Sequence, residues 1–196
     1  MRTTKHSTKI SDPICGLIVS LFVVLFGTEQ ASADYGQPIV AKGRIVHVTD
    51  GDTARVEVPA AVVREAKTRA QEAERQYQRN MNLDRIYTSS IMRIRVANID
   101  TAESVHPDAS KNSMEGKKAS RFARETFSGD AVIVYCFEVG YYGRPICDIR
   151  SNDGDWAETM IRAGYSKYIT KWGRHPKRDR HQTLTTAQKQ SFQTPP

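Results

Sequence analysis

Five short segments with Val and Ile at partly alternating positions, each bounded by turn residues, limit this chain more than any other feature. They cover residues 38–48, 53–58, 91–99, 132–137 and 145–149. A lone two-stranded hairpin is marginal in water, so such segments must share a core with further strands or with helices. Five of them in one chain predict a small barrel. Asp50-Gly51 makes a turn between the first two, and Gly140-Tyr141-Tyr142-Gly143 makes a hairpin between the last two. In the third, Ile91, Arg93, Arg95 and Ala97 alternate with Met92, Ile94, Val96 and Asn98, which turns Arg95 away from the most apolar face.

Helical patterns fall between and after the strands. Residues 116–127 place Ala119, Phe122, Ala123 and Thr126 or Phe127 on one face, and residues 155–164 carry Trp156, Met160, Ile161 and Ala163 before a terminating Gly164. Between the second and third strands, where a tight turn would suffice, residues 59–90 read as an inserted helix. Val62, Ala66, Ala70, Ala73 and Tyr77 form its apolar stripe, and Glu65 with Arg69 and Glu72 with Arg75 can pair on its surface. Two roles fit the insertion. It is a solvated extension lying on the barrel, or an arm for polyanions built on Arg64, Lys67, Arg69, Arg75, Arg79 and Arg85. Residues 175–196 read as a polar, basic tail with weak helical potential over 183–190 and a fraying Thr-Pro-Pro end.

The chain opens with Arg2, Lys5 and Lys9 before an apolar run at 14–26, followed by Ala31-Ser32-Ala33. That run is short of the about 20 residues a spanning helix needs, and the small-x-small triplet suits signal peptidase. Residues 1–33 are therefore expected to be a signal peptide cleaved after Ala33, with an uncleaved membrane anchor as the alternative. The exported part, with no stable membrane association, would keep 163 residues and 26 Lys plus Arg against 20 Asp plus Glu, since the leader holds three basic and two acidic residues of the full 29 and 22. Residues 34–174 then form one domain, expected to be a monomer, in the periplasm or outside the cell. Its positive charge favours polyanionic partners, nucleic acid among them, without choosing between nucleic acid, anionic lipid and acidic polysaccharide. Export also permits oxidation, and Cys136 and Cys147 flank the hairpin turn so that two strands can bring them opposite one another. Two separate buried thiols are the other reading.

Charged residues cluster at the ends of these strands: Asp50-Gly51-Asp52-Thr53, then Arg95, Asp100-Thr101-Ala102-Glu103, then Tyr142-Gly143-Arg144. Carboxylate oxygens suit a hard divalent cation, a spare carboxylate can activate water, and two guanidinium groups can hold a phosphorane as charge builds on its oxygens. Each residue alone has a blander reading as turn former, cap or surface charge. Zinc chemistry is excluded by the spacing of His6, His47, His106, His175 and His181. Gln182 stands where a phospholipase-D-like motif beginning at His175-Pro176-Lys177 needs an aspartate, and no Gly-x-Ser-x-Gly elbow is present.

On these residues the sequence resembles the staphylococcal nuclease, or thermonuclease, family, whose hallmarks are an Asp-Gly-Asp-Thr turn, an Arg-x4-Asp-Thr-Pro-Glu element and a Tyr-Gly-Arg. The likeness runs over residues 39–172 and includes His106-Pro107, the helix opening near Gly116, Asp153-Gly154-Asp155-Trp156-Ala157-Glu158 and Arg162-Ala163-Gly164. It implies an α+β, mainly β fold: an OB-fold five-stranded β-barrel with two to three packed helices, here with a helical insertion between strands 2 and 3. It implies further that Asp52, Asp100 and the Thr101 carbonyl ligate Ca²⁺, that Glu103 activates water, and that Arg95 and Arg144 bind the phosphate. Hydrolysis of DNA or RNA would break the 5′ P–O bond and leave 3′-phosphates. Tyr142 and Trp172 match aromatic positions near the nucleotide pocket, where they would stack on a base or pack in the core.

The sequence departs from the family pattern at several points. Ala102 replaces the proline beside Glu103, Thr170 stands where an aromatic contact is expected, the Tyr141-Tyr142 turn lacks a lysine, and the usual Gly-Leu-Trp ending is absent. A non-catalytic, exported protein that binds nucleic acid or another acidic polymer on the same barrel is the competing expectation.

Overall fold

A 12-residue first strand, β1 (Ile39–Asp50), organises the barrel by serving two neighbours. In the computed structural model, which describes residues 37–105, 108–152 and 154–192, its first half pairs with β4 (Ala131–Val139) from Ile39↔Cys136 to Arg44↔Ala131. Its second half pairs with β2 (Thr53–Glu57) from Arg44↔Glu57 to Asp50↔Thr53. Two register shifts in that second half bend the strand, as bulges do. β2 continues to β3 (Ile91–Val96), and β4 to β5 (Pro145–Ser151). Parallel pairing of β3 with β5, at Arg95↔Ile146 and Val96↔Cys147, closes the five-stranded mixed barrel. A two-residue strand, β6 (Gly154–Asp155), extends β5 at the edge.

The alternation seen in the sequence becomes the barrel interior. Ile45, Val48, Ala54, Val56, Met92, Ile94, Val96, Val134 and Ile149 are buried. The third strand stops at Val96, short of 99, because Asn98 takes a left-handed φ of 57°. Helix α2 (Met114–Phe127) starts at Ser113, whose hydroxyl accepts from the Gly116 amide, and buries Ala119, Ala123 and Phe127. Helix α3 (Trp156–Arg162) is capped by Asp155 accepting from the Glu158 amide. Trp156 is fully buried and stacks on Phe127, with ring centroids 4.5 Å apart.

The insertion forms α1 (Ala60–Gln76), which packs through Val63, Ala66, Ala70 and Ala73. Val63 takes the buried place expected of Val62, which is only partly buried, and Tyr77 at the end of the stripe is 43% exposed. Several of its cations are engaged within the protein. Arg69 pairs with Glu65 at 2.6 Å, Lys67 with Asp84 at 2.7 Å, and the Arg79 guanidinium lies 3.9 Å from the Tyr141 ring centre.

The segment after Arg174 requires a correction. Instead of a polar tail it carries helix α4 (Arg178–Ser191), with Leu184 and Ala187 fully buried and many contacts to α3. Few apolar residues announce this helix, because polar groups hold it. His175 Nε2 lies 2.9 Å from Asp148 Oδ1, and Arg180 Nη2 lies 2.5 Å from Asp155 Oδ1, with all four residues largely buried. Such charges stay buried only when paired.

Cys136 and Cys147 are joined by a disulfide across the paired strands β4 and β5, with Cα atoms 4.0 Å apart. Among the described residues no helix is long and apolar enough to cross a membrane. The expected signal peptide, and His106, Pro107 and Asp153, lie outside the described residues.

Candidate active site

The Asp50-Gly51-Asp52-Thr53 turn joins β1 to β2 at the barrel rim, and its two carboxylates do different things. Asp50 Oδ1 accepts from the Gly51 amide at 2.9 Å, the Ser104 hydroxyl at 2.9 Å and the Ser120 hydroxyl at 2.6 Å. It therefore ties the turn to the loop after β3 and to α2. Trp156 Nε1 donates to the Gly51 carbonyl at 2.9 Å, which adds α3 to the same joint. Gly51 is required there, since a Cβ would stand 2.8 Å from the Thr101 side chain.

Asp52 is 6% exposed and faces the loop. Its Oδ2 accepts from the Thr101 amide at 3.0 Å and from the Thr101 hydroxyl at 3.1 Å. Its Oδ1 accepts from the Thr53 hydroxyl at 3.0 Å and forms an ion pair with Arg95 Nη1. Arg95 sits directly across from Thr53 on β3, so strand register delivers this contact. Its other terminal nitrogen donates to Asp100 Oδ1 at 2.8 Å and to the Ile99 carbonyl at 2.9 Å. One guanidinium thus bridges both carboxylates predicted to bind metal. Lys171 adds a longer contact to Asp100 Oδ2 at 3.5 Å and covers the Trp172 ring at 3.9 Å.

Arg144 reaches the same place from the β4–β5 hairpin and donates to the Thr53 hydroxyl at 3.0 Å. Its turn is braced by the insertion, because the buried Tyr87 hydroxyl donates to the Gly143 carbonyl at 2.8 Å. Burial lowers the pKa of Arg95, with Asp100 and Glu103 opposing. Burial lowers that of Arg144 as well, and the Arg95 charge lowers it further, opposed first by Glu103. Two partly buried cations that repel one another at a rim form a site for an anion.

Glu103 is exposed, and among the described residues its carboxylate makes no hydrogen bond or ion pair. Its backbone is held firmly: the carbonyl accepts from the Ser113 amide at 3.0 Å and faces Gly116, where a Cβ would lie only 2.1 Å away. Helix α2 thereby braces the loop that lacks a proline at Ala102. Tyr142 and Trp172 are 61% and 69% exposed, so neither packs in the core.

The structure brings together Asp52, Arg95, Asp100 and Thr101, and joins Arg144 to them through Thr53. Among the described residues no group of three or more His, Cys, Asp and Glu side chains gathers where it could hold a metal. Two carboxylates and a nearby backbone carbonyl still match, in kind, the all-oxygen preference of calcium, with too few donors for the six to eight it takes. Sequence reasoning missed Ser104, Ser120 and Lys171, which carry no pattern of their own. It also passed over Arg93, whose position two residues before Arg95 on the same strand face was visible.

The family model for staphylococcal nuclease homologues matches residues 93–193, more than half of the chain. The chain belongs to this family. Among curated proteins, none matches the chain. In this staphylococcal nuclease homologue the matched region contains Arg95, Asp100, Glu103 and Arg144, while the Asp50–Thr53 turn precedes it. The match also takes in α4, which places that helix within the nuclease-type domain. The closed five-stranded barrel with four helices is the OB-type α+β architecture.

Proposed function

We propose that this staphylococcal nuclease homologue is an exported, calcium-dependent nuclease that hydrolyses phosphodiester bonds of DNA or RNA and leaves 3′-phosphates. The observation that carries the reading is the convergence of Arg95 and Arg144 on one rim, coupled through Thr53 and Asp52, with Glu103 opposing both charges. Asp52, Asp100 and the Thr101 carbonyl would hold Ca²⁺, with water and substrate oxygens filling the other positions. Bound calcium supplies charge neutralisation at a phosphate oxygen.

The chain's own residues do the rest. Arg144, anchored on Thr53, takes one phosphate oxygen. Arg95 leaves its carboxylate partners to take another, and the pair stabilises the added charge of the phosphorane. Glu103, exposed and held by its backbone, accepts the proton from the attacking water. Tyr142 and Trp172 offer exposed rings to bases, and the basic surface draws a polyanion in. The leader supports export, and the protein acts as a monomer.

One observation favours a second reading. Arg95 is already paired with both proposed metal ligands, as a protein that only binds nucleic acid would leave it. Protein lacking residues 1–33 is incubated with single-stranded DNA, RNA and duplex DNA, with Ca²⁺ or chelator, beside Glu103→Gln. Cleavage by the wild type with Ca²⁺ alone, lost in Glu103→Gln, is expected. Cleavage indifferent to both changes overturns the mechanism, and salt-dependent binding without cleavage selects the second reading.

A further inference from the structure

Arg55 and Arg93 face one another across β2 and β3. Both point outward, since the alternate positions Ala54, Val56, Met92 and Ile94 are buried. The parallel pair Arg95↔Ile146 also brings Arg93, two residues back on β3, toward Arg144, which immediately precedes β5, and the Arg144 charge acts on Arg93. Four arginines thus share one barrel face. Like charges directly opposite each other across strands are destabilising. Arg95 is compensated by Asp52 and Asp100. Arg55 and Arg93 have no ion-pair partner among the described residues, and Arg93 Nε is buried without a hydrogen-bond partner. Burial first, then the Arg144 and Arg55 charges, hold the Arg93 pKa below its usual value. Such an arrangement of cations suits an anion.

We propose that Arg55 and Arg93 form a second phosphate site, which holds the sugar-phosphate backbone of a polynucleotide next to the phosphate gripped by Arg95 and Arg144. Two residues along a strand span about 6.6 Å, close to the step between successive phosphates of an extended single strand. The site rests on the nuclease reading for its neighbour, but binding there needs no cleavage.

The test uses the full chain in chelator, titrated with a labelled oligothymidylate of about eight nucleotides across a salt series. Each released phosphate contact lowers the slope of log K against log salt by about 0.7 on single strands. Arg55→Gln and Arg93→Gln are each expected to show that drop and about tenfold weaker binding at low salt. Arg93→Lys keeps the slope, and Arg121→Gln, exposed on α2, changes nothing. Arg55→Gln also raises the Tm of the free protein, by removing a like-charge neighbour, while shrinking the Tm gain from the oligonucleotide. Wild-type slopes in both glutamine variants overturn the proposal. Arg55 is exposed, so Arg55→Gln decides alone if Arg93→Gln does not fold. Absence of cleavage by the wild type would defeat the nuclease reading and leave the slope result standing.

Discussion

Replacing Gly116 with alanine tests whether α2 positions the proposed base. An added Cβ would lie 2.1 Å from the Glu103 carbonyl oxygen, 2.5 Å from its carbon and 2.7 Å from the Ala102 oxygen, all of them backbone atoms that cannot rotate away. Ordinary contact begins near 3.4 Å, so helix and loop must part by roughly 1.3 Å, the difference between the two distances. Overpacking of this kind costs about 1 to 3 kcal/mol. The intrinsic preference of a helix for alanine over glycine returns up to about 1 kcal/mol. Stability therefore falls only modestly. Activity falls further, because misplacing a catalytic group by about 1 Å can cost on the order of 100-fold. The comparison is kcat on a single-stranded oligonucleotide with saturating Ca²⁺ against the urea midpoint, with Glu103→Gln setting the floor. A folded Gly116→Ala protein whose kcat stays within about twofold of wild type would show that α2 does not set the position of Glu103.

Other outcomes follow from the same geometry. Because the protein offers calcium few oxygens, Ca²⁺ and a phosphate-bearing oligonucleotide should each raise the other's affinity by the same factor, on the order of 5- to 150-fold; independent binding by calorimetry would contradict the donor set. Arg180→Met takes from the buried Asp155 its close ion-pair partner, while Asp148 keeps His175, and should cost about 3 to 5 kcal/mol in urea unfolding, where a surface-tail role predicts almost none. Reducing the Cys136–Cys147 bridge should cost about 2 to 3 kcal/mol, and it should lower kcat as well because Arg144 lies in the loop the bridge closes. Burial raises the Asp155 pKa above its ordinary 3.8, while Arg180 and the Glu158 amide pull it down without cancelling the effect. The folded state then holds that proton more tightly than the unfolded chain, so this contribution is full below 3.8 and is lost as pH rises through the raised value. Asp155→Asn, which keeps the cap, should flatten that limb of stability against pH, and an unchanged limb would assign it to another group.

Legibility in the sequence followed the physics of each element. Strands with one buried face write their alternation openly, so the barrel and the outward direction of Arg95 could be read from residues 91–96. Register was harder: the turn at Gly140–Gly143 let Cys136 and Cys147 face one another, but two separate buried thiols stayed open until the structure joined them. Only weak helical potential over residues 183–190 hinted at helix α4, because its anchors, His175 and Arg180, find Asp148 and Asp155 only after the chain has folded, and buried polar pairs leave no periodic trace. Within the candidate site the acids and arginines were legible as types. The sharing of Arg95 between Asp52 and Asp100, and the role of Asp50 as a joint for Ser104 and Ser120, depend on side-chain directions that spacing does not encode.

With Arg95 between Asp52 and Asp100, the two carboxylates have a counter-charge built into the chain. On the proposed reading, such a protein would fold in full before it meets calcium, and chelation would idle it without unmaking it. The cation would then act as an ignition key rather than a keystone. On the proposed nuclease reading, a protein so built would pass through calcium-poor surroundings intact and inert, and would start work where the ion and a polynucleotide are found together.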